Sequence, residues 1–110
     1  MNNKRILKKQ IHLICGDIAA ECALAIEAIP GVDVEKMTQN IRDIAALQTN
    51  TLANISFAFD KRASDFPTRH EYRAALSAYN QAAFRRLRIE FNEAVEKIVH
   101  NMNAALPAKK

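Results

Sequence analysis

TRHEYRAALSAYNQAAFRRLRIEFNEAVEKIVHNMNAAL, residues Thr68 to Leu106, decides the fold. Thr68 and Glu71 form a T-x-x-E capping box, in which each side chain satisfies a free backbone N–H near the other. Pro67 lies just outside, where its missing donor costs nothing and where it stops an upstream helix from running through. Apolar residues then recur at Tyr72, Leu76, Tyr79, Ala83, Leu87, Phe91, Ala94, Ile98, Met102 and Ala105, with Phe84 and Val95 widening the stripe. Steps of three and four are the period of a helix with one buried face. No Gly or Pro interrupts the pattern before Pro107. At about 1.5 Å per residue such a helix is roughly 57 Å long, too long for a compact globule and suited to a bundle.

Upstream, two more segments carry the same period. The first spans residues 3–29, with a stripe of Leu7, Ile11, Ile14, Ile18, Cys22, Ala25 and Ile29 that approaches a heptad seam. Gly16 falls off that seam. It costs up to about 1 kcal/mol against Ala and marks a place where another helix approaches closely. Ile-Pro-Gly at 29–31 ends the segment. The second spans residues 33–64, with Asp33 as N-cap and Val32 and Met37 placed as a hydrophobic staple. Its stripe reads Met37, Ile41, Ile44, Gln48, Leu52, Ile55, Phe59, Ala63 and Phe66. Gln48-Thr49-Asn50-Thr51 puts polar residues at mid-helix, read as a polar core layer that sets register. The alternative is a break there, giving four helices.

The connections at residues 30–32 and 65–67 are short, and short helix connections join antiparallel neighbours. The expected fold is therefore all-α: an antiparallel up-down-up bundle of three long helices, 3–29, 33–64 and 68–106, in one domain over residues 1–110. Ile14, Ile55 and Leu87 are expected in the core. Composition agrees. The 110 residues are one small domain's worth, 49% hydrophobic, with two Gly and three Pro, which suits helices with few turns.

The same residues argue against several chemistries. Cys15 and Cys22, seven apart on one helix, lie about 10 Å apart, too far to bridge each other. They read as small buried hydrophobes in a reducing compartment. Glu96 and His100 are four apart, not the three of a bundle di-iron pair, and no second pair exists. His12 could reach Cys15, but a thiol beside an apolar seam stays protonated and inert. Neither Gly16 nor Gly31 lies in a phosphate-binding loop. His12, Gly16, Asp17 and Glu21 interrupt the first apolar run, so neither a signal peptide nor a membrane span is read there. A bacterial-type cytoplasm is the expected compartment. No catalytic activity, metal, cofactor or membrane partner is expected, and no motif carries a family resemblance.

Charge is more informative. The net charge is +4. An up-down-up bundle gathers Lys4, Arg5, Lys8, Lys9, Lys61, Arg62, Arg69 and Arg73 at one pole, a candidate contact for nucleic acid or an acidic protein surface. Arg85, Arg86 and Arg88 form a separate cluster midway along the last helix, while Glu27, Asp33, Glu35, Glu93 and Glu96 mark the other pole. Large apolar residues also fall outside the stripes. Ile6, Leu13 and Leu24 make a second line on the first helix, and Phe57 and Ile89 point away from the stripes of the other two. These five are the candidate oligomer interface, since a line of exposed apolar residues asks for a partner. The last helix outruns the first by about 16 Å, which is expected to leave Val99, Met102 and Leu106 uncovered. The expectation is a small non-enzymatic bundle that acts by self-association, most simply as a homodimer, or by binding protein. A nucleic-acid-binding accessory bundle using the basic pole is the alternative.

Overall fold

The computed structural model describes residues 4–107. Among them the chain folds into three α-helices, α1 (Lys4–Ala28), α2 (Val34–Asn54) and α3 (Arg69–Ala105), with a 3-10 turn at Ala63–Asp65 and no strand. α2 lies between α1 and α3 and packs against both. The result is the expected all-α three-helix bundle, drawn out into a rod of 66 × 21 × 19 Å.

Local chemistry explains the helix ends. Asp33 accepts the Lys36 N–H at 3.1 Å, and the Thr68 hydroxyl oxygen accepts the Glu71 N–H at 3.2 Å. Each satisfies a donor that the first helical turn would leave free. Gly31 takes φ +83° in the α1–α2 turn, a conformation open to glycine at little cost. The Asp33 N–H then donates to the Ala105 carbonyl at 2.8 Å, tying that turn to the end of α3.

The core is one continuous seam. α1 contributes Leu7, Ile11, Cys15, Ile18, Cys22 and Ala25; α2 and its exit contribute Met37, Ile44 and Ile55. α3 contributes Phe84, Leu87, Phe91, Ile98 and Ala105. Two expectations for α1 need correcting. Ile14 is 38% exposed and Cys15 takes its place in the seam. At 100° per residue the two stand about 45° and 55° to either side of the stripe axis, so periodicity alone does not choose between them. Ile29 lies past the helix end and is also exposed.

The larger correction concerns α2. It is continuous through Gln48–Thr51, with Thr51 buried and Thr49 donating its hydroxyl to the Ala45 carbonyl at 3.1 Å. It ends at Asn54, however, not at residue 64. Ser56 donates both its N–H and its hydroxyl to the Ala53 carbonyl, closing the last turn. Residues 57–62 are then irregular. The reason lies in Ser56-Phe57-Ala58-Phe59-Asp60, where apolar and polar residues alternate. In extended chain, alternate side chains share a side. Phe57 and Phe59 are half-buried while Ala58 is exposed, and both rings rest on Tyr79, at 6.3 and 5.2 Å between centroids. On a helix the two would diverge by about 160°.

This shorter α2 also moves the overhang of α3. Lys4 donates to the Phe57 carbonyl and its ammonium lies 4.4 Å from the Phe57 ring centroid. Phe57 in turn meets Phe84 edge-on at 5.1 Å. The start of α1 is thus level with residues 79–84 of α3. About 15 Å of α3, residues 69–78, extends beyond it. The uncovered end is the N-terminal one. At the other end Val99 and Leu106 are exposed as expected, Ile98 and Ala105 are buried with the stripe, and only Met102 departs from the expectation by packing on the core.

Candidate interaction surface

The inner face of α1 is fully used by α2, which isolates what remains on its outside. Ile6, Leu13 and Leu24 lie roughly 130° around the helix from the buried stripe. With Ile89 they are exposed by 48–66%, Leu24 the most. Ile89 stands nearly opposite the buried stripe of α3, on a different helix from the other three. Phe57 does not join them. The sequence placed it on the outer side of a continuous second helix, but in the irregular stretch after Asn54 it turns inward against Phe84 and Tyr79.

The basic residues lie toward the end of the rod that holds the starts of α1 and α3, staggered along it rather than level. Lys4 is engaged by Phe57 through both its carbonyl and its ring. Lys8 and Lys9 are exposed near Arg5 on the first turns of α1. Arg69 and Arg73 sit out on the overhang of α3, with Arg73 about 16 Å along the axis from Phe84. Lys61 and Arg62 lie between, where the Arg62 N–H donates to the Asp65 carboxylate at 2.9 Å. Of the three mid-helix arginines, Arg86 pairs with Glu90 at 3.1 Å. That pair rims a shallow groove of about 510 Å³ whose walls include Phe57, Tyr79, Ala83 and Leu87. The contact of Lys4 with Phe57 had no signal in the sequence, because it depends on where α2 stops.

Cys15 and Cys22 are buried free thiols, and burial pushes both upward in pKa, with the Glu21 carboxylate adding to the effect at Cys22. A raised thiol pKa keeps the unreactive protonated form. Among the described residues no cluster of His, Cys, Asp or Glu could hold a metal ion, and no helix is long and apolar enough to cross a membrane. No family model, curated protein or solved structure matches the chain.

Proposed function

We propose that the protein acts without catalysis, by associating with protein through the outer face of α1, with self-association as the first case. One observation carries this reading: Ile6, Leu13 and Leu24 stand exposed in a line on a helix whose other face is already buried. Single exposed apolar residues are ordinary, but an aligned set on a rigid element marks a contact surface. The nucleic-acid alternative draws less support, since its eight cations are staggered along one end of the rod and Lys4 is engaged by Phe57.

Sedimentation equilibrium tests it. The unmodified chain is expected to exceed its monomer mass of 12.4 kDa at high concentration. Leu13→Asp with Leu24→Asp is expected to return it to that mass with unchanged circular dichroism, because exposed positions tolerate charge. An unmodified chain that stays at 12.4 kDa throughout, or an associated mass indifferent to the two substitutions, overturns the reading.

A further inference from the structure

We propose that the partner of this face is a second copy of the chain, its α1 lying antiparallel to the first across a two-fold axis, with Lys9 facing Glu27 of the second copy. This rests on the association reading above and adds the occupant and its register.

The outer face of α1 is wider than its three large residues. Ile6, Lys9, Leu13, Gly16, Ala20, Leu24 and Glu27 follow one another in steps of three and four and fall within an arc of about 80°. All are exposed. That spacing is the seam of a helix pair, repeated on the side that α2 does not touch.

Gly16 is the residue the monomer does not explain. It sits in the middle of a 25-residue helix. Its φ is not positive, so no backbone strain requires glycine there. A Cβ built on it would meet nothing within 4 Å. Within this chain the glycine therefore weakens α1 against alanine and relieves no crowding. A helix crossing closely on the outside supplies the missing reason, since a bare backbone lets another helix approach.

Charge selects the partner and its direction. The first turn of α1 has no acidic residue and the last turn no basic one. Lys4, Arg5, Lys8 and Lys9 crowd the end where the helix dipole is positive, and Glu27 sits where it is negative. Neither Lys9 nor Glu27 has an ion-pair partner among the described residues. A parallel copy would set like charges side by side. An antiparallel copy sets the basic end of each α1 against the acidic end of the other and offsets the dipole mismatch at both ends. With Lys9 facing Glu27, the register places Leu13 against Ala23, Gly16 against Ala20 and Leu24 against His12, and leaves Ile6 at the end of the partner helix, opposite Pro30. Lys9 then meets an opposite charge and Leu13 a small residue, as interlocking layers require. A C2 interface is self-complementary in this way, and it is the commonest arrangement of soluble oligomers.

The test is a charge-swap cycle read by sedimentation or light scattering. Lys9→Glu and Glu27→Lys are each expected to weaken self-association roughly tenfold or more, because two symmetric pairs turn repulsive at once. Each also places its new charge favourably on the helix dipole, so loss of helix cannot account for weaker association. Lys9→Glu combined with Glu27→Lys in one chain is expected to restore it. Gly16→Leu is expected to abolish it while helix content holds or rises. Single variants that associate as tightly as the parent, or a combined variant no tighter than the singles, overturn the antiparallel register. If Leu13→Asp with Leu24→Asp still dissociates the protein in that event, the surface stands and only its register fails.

Discussion

Phe84→Ala is expected to cost about 3–5 kcal/mol of folding stability, a large part of the 5–15 kcal/mol typical of a domain this size. Phe84 is buried at the level where all three helical segments meet. Its ring is the seat of Phe57, edge-on at 5.1 Å, and Phe57 in turn holds Lys4 at the start of α1. Truncation removes a buried aromatic ring, leaves a cavity and frees the stretch that follows α2. Ile14→Ala is the contrast. Ile14 is 38% exposed, outside the seam, and its loss is expected to cost under about 1 kcal/mol. Urea denaturation of the two variants checks both. A loss below about 1 kcal/mol at Phe84 would mean that α3 presents a different face to the core.

Thr49→Pro is expected to cost about 3 kcal/mol or more. Thr49 lies well inside α2, where proline would remove an intrahelical N–H and press its ring on the Ala45 carbonyl. The hydroxyl bond to that same carbonyl, at 3.1 Å, would go as well. Ala58→Pro, in the irregular and exposed stretch after α2, is expected to cost far less. Equal losses at the two positions in chemical denaturation would show that α2 is interrupted at Gln48–Thr51.

The contrast between those positions shows what periodicity can and cannot decide. α1 and α3 were legible because their stripes run long, the start of α3 is marked by the cap Thr68, and proline follows each of them at Pro30 and Pro107. The end of α2 was not. Ile55, Phe59, Ala63 and Phe66 keep helical spacing, so the stripe continues on paper past Asn54. The overriding signal was shorter: alternation over Ser56–Asp60, with two aromatic residues two apart and a serine able to close the preceding turn. A period of two over five residues is easily hidden under a period near 3.6 over thirty. That one boundary accounts for the features misplaced outside α1. It turned Phe57 inward, staggered the basic residues along one end of the rod and moved the overhang to the opposite end of α3. The outer line on α1 was readable because it depends only on a helix whose limits the sequence marks well. The closing bond from Asp33 to Ala105 was not, since no residue type announces a contact between backbones so far apart in sequence.

The overhang of α3 divides the molecule into two tiers. From about Phe84 to Ala105 the helix is held by a seam that runs through α2 to α1. From Arg69 to Ala78 it has no buried residue and leans on Phe59 and Phe66, whose rings stack on each other and meet Tyr72. An isolated helix of some ten residues does not hold itself together in water, because nucleation is costly and few bonds repay it. The outer turns of α3 therefore exist by grace of a short aromatic ladder. They can melt as a unit while the lower bundle stays intact, so amide hydrogen exchange in this single helix should follow two free energies.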